Sequence, residues 1–128
     1  MSRYLLDTTA LIDFSKGREP ARSRILEMIE VGDEVGLCAV NVAEFYTGVS
    51  FGQQPAWDEF LSALTSWEVD FEDGLKAGQY RWEFARQGRA ISTADALIAA
   101  VAGPQRAIIV TGNVRDYPMP DIEILAIG

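Results

Sequence analysis

The stretch Ser92-Thr93-Ala94-Asp95-Ala96-Leu97-Ile98-Ala99-Ala100-Val101-Ala102-Gly103, followed closely by Ala107-Ile108-Ile109-Val110, restricts the fold of this chain more than any other. A helix built almost wholly of Ala, Leu, Ile and Val has little polar face, so it must be covered on most sides. The helix is predicted to stop at Gly103-Pro104. The continuous β-branched run after that break has the pattern of a strand buried on both faces, as in a parallel sheet. One carboxylate, Asp95, stands in the first turn of this apolar helix. Ser92-x-x-Asp95 fits a capping box that closes orphan backbone donors, and the same acid is also a candidate for chemistry.

The rest of the chain repeats the strand-then-helix order. Arg3-Tyr4-Leu5-Leu6 reads as a short buried strand that stops at Asp7-Thr8-Thr9, and Asp7 or Thr8 caps a helix running to about Lys16-Gly17. Pro20 suits the first position of a second helix, with Ile25, Leu26, Met28 and Ile29 on its apolar face. Glu34 to Val40 is a second strand, and the helix after it carries Val42, Phe45, Tyr46 and Val49 inward with Glu44 rotated off that face by ~100°. Pro55 opens another helix. Trp67-Glu68-Val69-Asp70-Phe71 alternates and is expected as the third strand, and a long helix from about Glu72 to Gln87 ends at Gly88. The Ile108 strand ends at Thr111-Gly112-Asn113. A polar turn, Val114-Arg115-Asp116-Tyr117-Pro118, then leads to a last strand around Ile122 to Ile127. The alternation predicts a three-layer α/β/α sandwich around a mainly parallel sheet, as one domain over residues 1–128.

Composition decides which chemistry such a fold can carry. With no histidine and a single cysteine, Cys38, imidazole catalysis, Ser-His or Cys-His nucleophiles, the usual zinc sites and an internal disulfide are all excluded. No run approaches the ~18 apolar residues of a membrane span, and Asp7 and Asp13 interrupt the first apolar stretch, so a soluble, cytoplasmic chain without a signal peptide is expected. The net charge of −8 argues against a general nucleic-acid surface but leaves room for a local patch or a bound cation.

In parallel α/β sheets the active crevice lies beyond the carboxyl ends of the strands. That rule gathers Asp7 after the first strand, Glu44 one turn into the helix after the second, Asn113 and Asp116 after the Ile108 strand, and Asp95 at the start of the preceding helix. Singly, each has an ordinary explanation as a cap, a solvated helix residue or turn chemistry. Grouped, the carboxylates repel, and a hard cation resolves the repulsion. Oxygen-only ligands suit Mg²⁺ or Mn²⁺ and phosphodiester hydrolysis through an activated water.

Leu5-Leu6-Asp7-Thr8-Thr9, the Glu44 helix, Ser92 to Ala99 and Thr111-Gly112-Asn113-Val114-Arg115-Asp116-Tyr117 resemble, in order and spacing, the PIN-domain ribonucleases, and most closely the VapC-type toxins of toxin–antitoxin pairs. The resemblance covers essentially the whole chain. It implies a PIN-like fold, Mg²⁺- or Mn²⁺-dependent endoribonuclease activity, a homodimer and inhibition by a cognate antitoxin. Carried over by position, Asp7, Glu44, Asp95 and Asp116 become the catalytic acids, and Asp7, Glu44, Asp95 and Asn113 the metal positions. Asn113 stands where some members carry Asp, and Thr9 where many carry Asn, so one well-held ion is expected, with a second bound mainly with substrate. Thr8, Thr111, Arg89 and Arg115 are the candidate substrate contacts. A haloacid-dehalogenase or receiver reading lacks its lysine, because Lys16 and Lys76 both precede the Ile108 strand. The remaining alternative is a catalytically degenerate PIN fold that binds RNA or protein.

Overall fold

In a computed structural model describing residues 1–128, β1 (Arg3–Leu6), β2 (Glu34–Cys38), β3 (Thr65–Trp67), β4 (Ile108–Thr111) and β5 (Ile124–Ala126) form one sheet. The strand order is β3-β2-β1-β4-β5 and every pair is parallel. Parallel neighbours require crossovers, which are made by α1 (Thr8–Ser15), α2 (Ala21–Glu30), α3 (Ala39–Tyr46), α4 (Gln54–Ser62), α5 (Phe71–Arg86) and α6 (Thr93–Gln105). The chain builds outward from β1 in one direction and then restarts on its other side at β4. The carboxyl ends of β1 and β4 therefore flank the point where strand order reverses, where such sheets open a crevice.

Period-two alternation divides the strand side chains between two faces. Leu5 and Ile109 enter a core shared with Ala77, Tyr80 and Phe84 of α5 and Ile98, Ala99 and Val101 of α6. Leu6 and Val110 enter a second core with Phe14 of α1 and Ile25 and Met28 of α2. A smaller cluster of Leu11, Leu37, Phe45 and Leu61 ties α1, β2, α3 and α4 together. The layers are those expected of the α/β/α sandwich. Ala96, Ile98, Ala99 and Ala102 of α6 have no exposed surface at all, as its missing polar face requires. No helix is long and apolar enough to cross a membrane.

Several boundaries differ from the sequence expectation. The third strand is Thr65–Trp67, not Trp67–Phe71. Asp70 is the reason: its carboxylate accepts the Asp73 amide at 2.9 Å while the Asp73 carboxylate accepts the Asp70 amide at 3.0 Å, a reciprocal cap that starts α5 at Phe71. Trp67 then lies across Gly36 of β2, where a Cβ would come within 2.6 Å of the indole. Helix α6 runs two residues past Gly103, because Pro104 in the last turn removes one donor without ending the helix, and left-handed Arg106 ends it instead. Pro20 precedes α2 rather than occupying its first turn, α3 stops before Val49, and the last strand keeps only Ile124–Ala126.

Candidate active site

Asp7 leaves β1 in extended conformation and caps α1. Its amide donates to the Val110 carbonyl of β4 at 3.0 Å, so the residue is clamped at the reversal point of the sheet. The side chain is 1% exposed and fully engaged on one side: Oδ1 accepts from the Ala10 amide at 2.9 Å and from the Thr9 hydroxyl at 2.7 Å. Oδ2 accepts from the Tyr117 hydroxyl at 3.0 Å. Asp95 reaches the same phenol at 3.3 Å. Ser92 caps α6 by accepting the Asp95 amide at 3.0 Å, but no return bond joins the Asp95 carboxylate to the Ser92 amide. Half of the expected capping box forms, and the acid itself turns toward Asp7.

The crowding shifts the charges. Burial, and then the negative charges of Asp116 and Asp7, hold the Asp95 carboxyl above the usual carboxylate range, against the hydrogen-bonding pull of Ser92 and Tyr117. Burial and Asp7 raise Asp116 in the same way. The Tyr117 hydroxyl, buried and facing Asp7 and Asp95, is pushed far above the ordinary phenol range and stays protonated. No Lys or Arg pairs with any of these acids, since the two salt bridges of the chain are Arg3–Glu34 and Arg18–Asp13.

The other candidates take up different places. Asn113 donates to Asp116 at 3.1 Å, and its own amide donates to the Thr111 hydroxyl at 2.9 Å. Thr111 is fully buried and 3.3 Å from Thr9, whose hydroxyl also accepts the Gly112 amide at 2.9 Å. Arg89 and Arg115 line a recess of about 320 Å³ with Ser92, Asp95 and Asp116, and Arg89 donates to the Arg115 carbonyl at 3.2 Å. Glu44 stands apart from this recess. The Thr8 hydroxyl holds it at 2.6 Å, and it lines a neighbouring cleft with Lys16, Phe45 and Trp57. No three acids converge into a ready-made ligand cage. The structure thus brings Asp7, Asp95 and Asp116 together and leaves Glu44 to one side.

Two residues matter here that the sequence reading did not single out as functional. Tyr117, read as part of a polar turn, is 3% exposed and links the two central acids. Asn41, just past the end of the expected second strand, is fully buried in α3, where it accepts the Cys38 amide at 2.8 Å and donates to the Leu6 carbonyl. Its position three residues into a helix that follows a strand was the one available signal.

The PIN domain family model matches residues 4–117. Ribonuclease VapC19 of Mycobacterium tuberculosis is 32% identical over 93% of this chain and 96% of its own. The tRNA(fMet)-specific endonuclease VapC of Shigella flexneri is 30% identical over 91% of each. Among solved structures, VapBC2 from Rickettsia felis bound to a promoter DNA fragment superposes with a TM-score of 0.81 at 25% identity, over 96% of this chain and 97% of that one. DNA-bound VapBC from Salmonella typhimurium gives 0.80 at 25% identity over 98% of both.

Proposed function

The chain belongs to the PIN-domain family, and on that premise we propose that the acids at the carboxyl ends of β1 and β4, beside the Arg89–Arg115 recess, form the divalent-cation site of an endoribonuclease. The protein is a ribonuclease toxin of a toxin–antitoxin system, with RNA as substrate and a cognate antitoxin as protein partner. The observation that carries the site assignment is the meeting of Asp7 and Asp95 on one hydroxyl, with Asp116 in their field and no cationic side chain to balance them.

The donor set fits Mg²⁺, with Mn²⁺ as a substitute. It is all oxygen, in a chain without histidine whose one thiol is buried in β2. Mg²⁺ is commonly held by one or two carboxylates, several waters and substrate phosphate oxygens, so a complete protein cage is not required. Asp7 and Asp95 would hold the ion. A cation there supplies an acidified water and a counter-charge for the phosphate oxygens.

Around it, this chain's residues divide the remaining work. Asn113 orients Asp116, which is placed to hold a water at the edge of the recess. Glu44, steadied by Thr8, holds a water from the other side. The Thr111 and Thr9 hydroxyls lock the β4 turn against Asp7. Arg89 and Arg115, free of carboxylate partners, bind the phosphates flanking the cut bond. A homodimer in solution is part of the same reading.

Purified protein is expected to cleave RNA in Mg²⁺ or Mn²⁺, to stop in EDTA and to resume when Mn²⁺ is restored, with Asp7→Asn inactive throughout. Cleavage that survives full chelation in a preparation whose Asp7→Asn counterpart is inactive would overturn the cation mechanism. Absence of both cleavage and any metal effect would favour a binding module.

A further inference from the structure

Tyr117 puts a single phenol oxygen between two acids that come from opposite ends of the chain, 3.0 Å from Asp7 Oδ2 and 3.3 Å from Asp95 Oδ1. We propose that Tyr117 is a positioning residue of the cation site, whose hydroxyl, in reach of both carboxylates, ties the orientation of Asp95 to that of Asp7. The inference rests on the cation-site reading above and adds a residue to it.

The lone-pair accounting supports this role. An ionised carboxylate offers about four acceptor sites. On Asp7, Thr9 and the Ala10 amide occupy Oδ1 and Tyr117 occupies one side of Oδ2, which leaves the other side of Oδ2 as the free position. Rotating the carboxylate to free a different position would break bonds at both oxygens. Asp95 is restrained more weakly, through its amide to Ser92 and its carboxylate to Tyr117. The phenol is therefore the one group that ties the orientation of the second acid to that of the first.

The anchor of the phenol is rigid. Tyr117 is 3% exposed, belongs to the core built by α5, α6 and the sheet, and donates its amide to the Val114 carbonyl at 3.1 Å. A hydroxyl has only one proton, so the Tyr117 phenol shares it between the two carboxylates and compensates neither charge fully. The pair keeps an unmet need for positive charge, and neither Lys nor Arg lies within 4.0 Å to meet it. A phenylalanine ring would fill the same volume in the core. Only the hydroxyl distinguishes the two residues, and it is spent entirely on the two acids.

Groups that orient metal-binding carboxylates typically change metal affinity or activity by about 10–100-fold when removed. Tyr117→Phe is the test, because it keeps the ring and deletes the oxygen. The Mn²⁺ dependence of the melting temperature is read for parent and variant, each against its own metal-free melt, which also reports whether the variant is folded. The expected result is an apparent Mn²⁺ dissociation constant raised about 10–100-fold, with cleavage lost at low Mn²⁺ and recovered at high Mn²⁺ while KM for RNA stays unchanged. Combining it with Asp95→Asn should add little to the loss in Mn²⁺ affinity, since both changes act on one ligand arrangement. A parent that shifts with Mn²⁺ and a Tyr117→Phe that shifts equally would overturn this inference alone. A parent without any Mn²⁺ shift would overturn the cation-site reading, and the inference with it.

Discussion

Asp95 sits where a helix start and a charged recess meet, and the two roles make opposite demands on it. As a helix-start acid it gains from the dipole of α6. As a neighbour of Asp7 and Asp116 it is repelled, and burial adds to the cost of its charge. The capping contribution that the structure does show, Ser92 to the Asp95 amide, survives Asp95→Asn because it uses the backbone. We therefore expect the metal-free variant to be as stable as the parent or more so at neutral pH, with a much smaller Mg²⁺ shift and cleavage reduced by orders of magnitude. The sign with pH follows from the direction of the shift. A carboxyl raised in the folded state contributes stability below its ordinary value of 3.8 and loses it as pH rises through the raised value. The stability gap between Asp95→Asn and the parent should open with rising pH and close in acid, as measured by metal-free melts across pH. A gap of constant size, with the parent the more stable, would return Asp95 to a capping role.

At the scale of elements, the site depends on how β1 is fastened to its neighbours. Leu6, the last residue of β1, gives its carbonyl to the side chain of Asn41, and the same amide group accepts from Cys38 at the end of β2. Helix α3 thus pins the ends of two adjacent strands, and Asp7 is the next residue along. Asn41→Ala would orphan the Leu6 carbonyl and the Cys38 amide in a fully buried place. Leaving a buried group unpaired costs about 1–3 kcal/mol, so a loss of roughly 2–6 kcal/mol in urea-induced unfolding is expected for the two. Cleavage should fall as well under conditions where the variant is still folded, because the backbone that aims Asp7 has been released. An Asn41→Ala protein of unchanged stability would show that water replaces the side chain. The failure of the third strand to extend to Phe71 belongs to this scale too: alternation favoured a strand, and the Asp70–Asp73 cap won.

Over the whole molecule, an acidic chain must attract a polyanion. The net charge of −8 opposes RNA at long range, and the unpaired Arg89 and Arg115 supply local positive charge beside the acids. If Arg89 and Arg115 bind phosphates as proposed, replacing both with alanine should raise KM for RNA while changing kcat less, because a phosphate contact does not act on the attacking water. Each phosphate contact to single-stranded nucleic acid contributes about 0.7 to the slope of log affinity against log salt. The double variant should lose about 1.4 of that slope. A salt dependence identical to the parent would show that the RNA takes another path across the surface.

Periodicity and residue type sufficed for the layers, because buried helices and parallel strands announce themselves by apolar patterns of different period. The rule that crevices open at carboxyl ends of strands was enough to bring Asp7, Asp95 and Asp116 to one edge without knowing a single distance. It could not say that Glu44 would bond Thr8 and line a neighbouring cleft, since a helix rotation of one residue carries a side chain ~100° around the axis. Nor could it find Tyr117, which lies 110 positions from Asp7 in a segment whose polar neighbours read as a solvated turn. Local sequence reports the propensity of each segment. Which buried hydroxyl meets which carboxylate depends on strand order and on the closing of the β4 turn over α6, and those are decided only when the sheet assembles.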